Sequence, residues 1–172
     1  MYYQFRKATE ADAPEVWEIL QQAIRRRKAD GSEQWQDGYP NPEVLRSDIE
    51  EGRGYVLAEN DRVIGYCAVI LNDEPVYAEI DGKWLSDGDF LVVHRVAIAE
   101  THIRKGFATK ILTETENLAR EMNVRSIKAD TNFDNPAMLR VFEQLNYTYC
   151  GKVYFRESER KAYEKVVDWV GI

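Results

Sequence analysis

One stretch of the chain joins an apolar run to an amphipathic pattern, and it reads Val96-Ala97-Ile98-Ala99-Glu100-Thr101-His102-Ile103-Arg104-Lys105-Gly106-Phe107-Ala108-Thr109. The apolar run from Phe90 predicts a strand, and the residues after Lys105 predict a helix. The basic turn between them aims several backbone N–H groups in one direction, and the helix dipole adds partial positive charge. Gly106 and Ala108 would let a phosphate approach the backbone closely. The stretch therefore predicts a phosphate site, although a solvated strand-to-helix turn fits the local pattern equally well.

A second informative block lies downstream. It contains a predicted strand at Ser126–Asp130, a polar loop that includes Asn132, and a predicted helix at Asn135–Leu145. The two blocks together resemble the GNAT N-acetyltransferase superfamily. The acetyl-CoA turn of that family reads Gln or Arg, two residues, Gly, one residue, then Gly or Ala. This chain matches the turn at Gly106 and Ala108 and departs from it at Ile103.

The resemblance implies that acetyl-CoA is the co-substrate and that the acceptor is an amine, either a small molecule or a peptide. It also implies direct attack in a ternary complex, without a metal and without a covalent acyl-enzyme. The backbone N–H of Ile98 is expected to face the thioester oxygen. The cofactor contacts carried over from the family are Val96, Ala97, Ile98, Ile103, Arg104, Lys105, Gly106, Phe107, Ala108, Thr109, Asn132, Asn135 and Phe142.

The proton-transfer residues of the family are not present at their usual positions. Val92 stands where many members have a glutamate base, and Phe142 stands where most have the tyrosine that protonates the thiolate. His94 is the best replacement base, because imidazole can exchange protons near neutral pH. A buried structural histidine is an equal alternative. The other candidate bases are Asp89, Glu79 and Asp81 through water, and the other candidate proton donors are Tyr147, Tyr149 and Tyr66.

The acceptor is expected to bind near the end of the first helix. Trp35 and Tyr39 could form an aromatic wall that attracts an amine, and Tyr66 is a further candidate for substrate binding. Two aromatic side chains that anchor a loop to the core are the alternative. The four basic residues Arg25–Lys28 are interpreted as a solvated helix end that complements the helix dipole.

The pattern of elements predicts an α/β fold with a mixed sheet of six to seven strands flanked by helices. Strands are predicted at Tyr3–Lys7, Tyr55–Glu59, Val63–Leu71, Phe90–Ile98 and Ser126–Asp130, and near Tyr147–Val153 and Ala162–Val167. Helices are predicted from Asp12 to Lys28, and at Glu43–Glu50, Gly106–Met122 and Asn135–Leu145, with a short extension or ribbon at Tyr77–Trp84. A turn at Asn60-Asp61 predicts a hairpin.

Composition narrows the function classes. The length of 172 residues suits one domain, and the resemblance implies that it is a single N-acetyltransferase domain spanning residues 1–172. The net charge of −7 argues against a nucleic-acid binder. Two isolated cysteines and two histidines argue against a zinc site. No apolar run is long enough to cross a bilayer and the chain does not open with a signal peptide, so a cytoplasmic location is expected.

A different class of protein fits the same sequence. A CoA-binding regulatory or interaction module would keep the cofactor turn and lose turnover, as Val92 and Phe142 suggest. A homodimer is compatible with the sequence under either interpretation.

Overall fold

A computed structural model describes residues 1–155 and 158–168 of the chain. Its strands are β1 Tyr3–Lys7, β2 Gly54–Glu59, β3 Arg62–Leu71, β4 Asp81–Gly82, β5 Phe90–Ile98, β6 Ser126–Thr131, β7 Thr148–Phe155 and β8 Ser158–Val166. Its helices are α1 Ala13–Ala29, α2 Pro42–Glu50, α3 Phe107–Glu121 and α4 Pro136–Gln144. The eight strands form one sheet in the order β1-β2-β3-β5-β6-β8-β7-β4. The pairs β1–β2, β2–β3, β4–β7, β6–β8 and β7–β8 are antiparallel, whereas Phe90–Val93 of β5 runs parallel to Ser126–Ala129 of β6.

The predicted α/β class is confirmed, but within the described residues the sheet has eight strands rather than six or seven. The difference arises at Tyr77–Trp84, where the sequence predicts a short extension or ribbon. A 3₁₀ helix occupies Pro75–Glu79, and only Asp81–Gly82 pairs with β7. Gly82 and Gly151 face each other there with positive φ, and a Cβ at Gly82 would collide with backbone of the facing strand. Such close approach of the two backbones requires glycine at both positions.

The chain divides into two compact units, and residues 1–69 and 95–111 form the first. Its core contains Val16 and Leu20 of α1 together with Val56 of β2. Val16 and Leu20 are spaced by about one helical turn, so the apolar face of α1 points inward. Ahead of α1, Thr9 and Asp12 form a capping box, in which the Asp12 carboxylate accepts a hydrogen bond from the backbone N–H of Thr9 at 2.8 Å.

The second unit comprises residues 70–94 and the described residues after Ile111. Its core includes Tyr77, Val92, Val153 and Ala162. Glu164 of β8 is also fully buried, and its carboxylate accepts from the Ser126 hydroxyl at 2.6 Å. The backbone N–H of Leu85 and the hydroxyl of Ser86 donate to the same carboxylate. These bonds provide the partners that a buried charge needs.

The single domain over residues 1–172, the homodimer and the cytoplasmic location stay predictions. In residues 1–155 and 158–168, no helix combines the length and apolar character that a bilayer span requires. The same residues contain no group of three His, Cys, Asp or Glu side chains arranged to hold a metal ion.

Candidate functional site

The last residues of β5 present backbone groups on one side of the strand. The N–H of Ala99 donates to the carbonyl oxygen of Ile64 in β3 at 2.8 Å. Because successive residues of a strand alternate in direction, the N–H and C=O groups of Ile98 and Val96 point away from β3. This is the orientation that the sequence interpretation requires of the Ile98 N–H.

The turn that follows β5 has the backbone geometry of an anion cradle. Arg104 and Gly106 both have positive φ, 61° and 83°, and α3 begins at the next residue, Phe107. The first N–H groups of a helix have no partner within the helix, so they are available to an anion. Apart from Gly106 itself and its two chain neighbours, no atom of the described residues lies within 4 Å of the position that a Cβ on Gly106 would occupy. The cradle is therefore open at the point where a phosphate would approach.

Aromatic contacts fix the start of α3. The ring of Phe107 lies 5.5 Å from that of Tyr3 and 5.5 Å from that of His102. His102 in turn contacts Glu59 at 3.2 Å, and this hydrogen bond lowers the pKa of the Glu59 carboxyl. The predicted cofactor contacts at Val96–Ile98 and Ile103–Thr109 thus lie in one unit. The packing of Phe107 against Tyr3 and His102 holds the turn between them in place.

The second predicted block lies in the other unit. Asn135 caps α4, because its side-chain oxygen accepts from the N–H of Met138 at 3.3 Å. Two residues at the end of β6, Thr131 and Asn132, are 1% and 8% exposed. Their side-chain oxygens have no hydrogen-bond partner among the described residues. Native proteins rarely leave buried polar atoms unpaired, so these oxygens mark a place where a ligand donor could bind.

Phe142 requires a correction. It was expected to contact the cofactor, but its side chain is completely buried. Its ring stacks on that of Tyr163 at 4.7 Å and lies 5.2 Å from that of Tyr147. Its ring packs against core aromatic rings and leaves no face for the cofactor, so Phe142 is a core residue. Val92, the other departure from the family, is also fully buried among apolar side chains.

His94 is held by a carboxylate. Its Nε2 lies 2.7 Å from Oε2 of Glu74, and both side chains are mostly buried, with 16% and 13% of their surface exposed. The rings of Tyr77 and Phe155 flank the imidazole at 6.3 and 6.2 Å. If Nε2 carries the proton that Glu74 accepts, Nδ1 keeps its lone pair and can act as a base. Glu74 was not predicted from the sequence, because it lies 20 residues from His94.

The other candidate bases and proton donors have less distinctive surroundings. Glu79, Asp81 and Asp89 are exposed, and Asp89 accepts from the side chain of Asn72. Tyr149 is 49% exposed on β7. Tyr147 is 7% exposed, and burial raises the pKa of its phenol well above the ordinary value, with a smaller contribution from Glu116.

The predicted acceptor residues lie in or beside a buried ionic network that the sequence did not reveal. Asp48 of α2 accepts from Nε and Nη2 of Arg95 at 2.9 and 2.6 Å and from the hydroxyl of Tyr66 at 2.6 Å. The remaining Arg95 nitrogen, Nη1, donates to the hydroxyl of Tyr39 at 2.5 Å. The network thereby connects the loop that carries Tyr39 to β5.

These contacts change the interpretation of two aromatic residues. Tyr66 is completely buried, so it supports Asp48 instead of binding substrate, and burial with the Asp48 charge raises the pKa of its phenol. Trp35 is half-buried and packs on the core of its own unit, which supports the loop-anchor alternative. Burial alone would lower the pKa of Arg95, but its interactions with Tyr39 and Asp48 raise it above the ordinary value.

Comparisons with known proteins agree with this arrangement. The model of the acetyltransferase (GNAT) family matches residues 13–147. The chain belongs to the GNAT acetyltransferase family. The match includes the turn before α3 and ends at Tyr147, so it contains both of the blocks that carried the resemblance.

Solved structures extend the match to nearly the whole chain. A GNAT-family acetyltransferase from Streptococcus agalactiae is 33% identical, with 96% of each chain covered and a TM-score of 0.88. One from Listeria monocytogenes is 18% identical, covers 95% of this chain and 94% of its own, and has a TM-score of 0.76. The yncA protein of Salmonella typhimurium, solved with its cofactor acetyl-CoA, is 17% identical over 100% and 98% of the chains, with a TM-score of 0.71. A search of curated proteins found no significant match.

Proposed function

We propose that this GNAT-family protein transfers the acetyl group of acetyl-CoA to the nitrogen of an amine acceptor. The observation that carries the proposal is the juxtaposition in one unit of the outward-facing Val96–Ile98 backbone and the open turn at Gly106. Family membership supports acetyl transfer in general, and the presence of acetyl-CoA in the Salmonella structure supports that co-substrate.

The residues of the chain fit acetyl-CoA chemically. The turn from Ile103 to Thr109 supplies backbone N–H groups and two cationic side chains for the pyrophosphate. Val96 and Ile98 supply backbone groups with which the pantetheine arm could pair as an added strand. The N–H of Ile98 would polarise the thioester carbonyl and stabilise the negative charge that develops on its oxygen. Asn132 and Asn135 remain predictions for contacts with the arm.

Proton removal from the acceptor is assigned to His94. Val92 cannot accept a proton, whereas the His94–Glu74 pair has the arrangement of a base oriented by a carboxylate. In this assignment Nδ1 of His94 takes one proton from the ammonium, and the amine then attacks the thioester carbon within a ternary complex. The C–S bond breaks as the new C–N bond is completed, and the departing CoA thiolate takes the second proton from the nitrogen, which gives the N-acetylated acceptor and free CoA thiol. The acceptor, a small molecule or a peptide, is assigned to the loop that carries Tyr39, because Arg95 fixes that phenol in place.

A second candidate function is a CoA-binding module without turnover. The burial of Val92 and Phe142 among apolar side chains favours it, since neither position can supply the proton-transfer group that most family members place there. The two functions share the cofactor turn and differ only in whether acetyl groups are transferred.

Release of free thiol from acetyl-CoA across a panel of small amines and peptides tests the proposal. We expect release with at least one acceptor class and its loss in Gly106→Glu, which places a charged side chain in the cradle at a positive φ. Gly88→Glu is the matched control, because Gly88 is exposed and surrounded by open space without that backbone strain. Binding of acetyl-CoA without release would support the module, and equal binding by Gly106→Glu and wild type would refute the cradle.

A further inference from the structure

Arg26 of α1 is bound to the edge of β5. Its Nη2 donates to the carbonyl oxygen of Ile98 at 3.1 Å. The expectation that Arg25–Lys28 is a solvated helix end is therefore wrong for this member of the run, which is half-buried. Arg25 does fit that expectation, since 63% of its side chain is exposed.

The contact places the Arg26 guanidinium on the side of β5 that faces away from β3. Ala99 directs its N–H to β3, so the carbonyl of Ile98 points the opposite way. Arg26 thus reaches the same edge of β5 that offers the Ile98 N–H. The Ile98 carbonyl oxygen therefore already has a hydrogen-bond donor, and this edge of β5 carries a positively charged side chain.

One nitrogen of Arg26 is left without a partner. Nη1 is buried and makes no hydrogen bond within the described residues. Burying a charged donor without an acceptor is costly, so such an atom indicates a missing partner. A guanidinium only donates hydrogen bonds, and the partner must therefore be an acceptor such as a carbonyl oxygen.

We propose that Arg26 is a binding residue for the pantetheine arm of CoA, with Nη1 donating to one of the carbonyl oxygens of that arm. The inference rests on the proposed function, which assigns the arm to the Val96–Ile98 edge. Nη2 anchors the guanidinium on Ile98, and Nη1 adds a side-chain contact to an edge that otherwise binds through backbone groups.

Calorimetric titration of CoA into wild type, Arg26→Met and Arg25→Met tests the assignment. A hydrogen bond from a charged donor contributes enough that Arg26→Met should bind CoA about tenfold to a hundredfold more weakly. Arg25→Met removes the same charge from the neighbouring residue and should leave the affinity unchanged. Arg26→Lys keeps a cationic donor and should recover part of the loss. Thermal midpoints establish that each variant is folded.

Competition by adenosine 3′,5′-bisphosphate locates the lost contact. This fragment carries the adenine end of CoA without the arm, so we expect Arg26→Met to bind it as tightly as wild type does. Unchanged CoA affinity in folded Arg26→Met would overturn the inference, and so would equal weakening of CoA and of the fragment. Failure of wild type to bind CoA would instead refute the proposed function, and this inference with it.

Discussion

Replacing Asp48 by alanine should destabilise the protein more than any surface substitution. The carboxylate accepts two hydrogen bonds from Arg95 and one from Tyr66. Only 8% of the Arg95 side chain is exposed and Tyr66 is completely buried, so water cannot replace the lost acceptor. Asp48→Ala therefore leaves an uncompensated charge and an unpaired hydroxyl inside the first unit.

The expected magnitude follows from this burial. Breaking a buried ion pair by removing one partner costs about 3–5 kcal/mol. Each kcal/mol shifts the midpoint of a chain of this length by about 2–4 °C, so the thermal midpoint should fall by about 6–20 °C. Removing both charges together, as in Asp48→Leu with Arg95→Met, should recover much of the loss, because an apolar pair carries no desolvation penalty.

Denaturant unfolding of these variants tests the reasoning, with Glu51→Ala as the control. Glu51 also pairs with an arginine, Arg53 at 2.6 Å, but its side chain is 58% exposed. Removing the Glu51 carboxylate should lower the free energy of unfolding by less than about 1 kcal/mol. If Asp48→Ala lowers the free energy of unfolding no more than Glu51→Ala does, the Asp48 carboxylate does not compensate the buried charge of Arg95. If the double variant is no more stable than Asp48→Ala, the unpaired Arg95 is not the source of the loss.

Three further outcomes are expected. His94→Gln should lower turnover about a hundredfold with little change in acetyl-CoA affinity, as for loss of a general base; an unchanged rate in a folded variant would exclude His94. Glu74→Gln should lower turnover and shift the pH–rate profile while acetyl-CoA affinity is retained; loss of stability alone would indicate a structural role. The Arg6 hydrogen bond lowers the pKa of Asp12 from 3.8 to about 2. Ionised Asp12 therefore adds about 2 kcal/mol to the free energy of unfolding above about pH 4, and this contribution is lost as the pH falls towards 2. Unfolding free energies of wild type and Asp12→Asn should therefore converge over that range, and a constant difference would contradict the assignment.

Local patterns predicted most of the elements. The apolar run gave the bounds of β5 correctly at Phe90–Ile98. The hairpin turn at Asn60-Asp61 is present, and both residues have the positive φ that such turns require. The 3₁₀ helix at Pro75–Glu79 was missed because a short apolar segment with a proline has no decisive periodicity.

The sequence could not predict which side chains meet across long separations. Asp48 and Arg95 lie 47 residues apart, and neither belongs to a motif. Arg95 also has a φ of 57° inside β5. A residue of this kind interrupts the alternation of the strand, so the side-chain directions of Val96 and Ile98 cannot be extrapolated from those of Val92 and His94.

Binding and proton transfer depend on the sequence in different ways. The cofactor turn can be found from the sequence because it requires small residues and a particular backbone shape, which Gly106 and Ala108 provide. Proton transfer requires only that a titratable group reach the right place, and many positions can supply one. His94 could be suggested from its type, but Glu74, the partner that would orient it, is found only in the structure. Family membership therefore supports the choice of co-substrate more strongly than it supports any particular base, and the base has to be established on this chain's own residues.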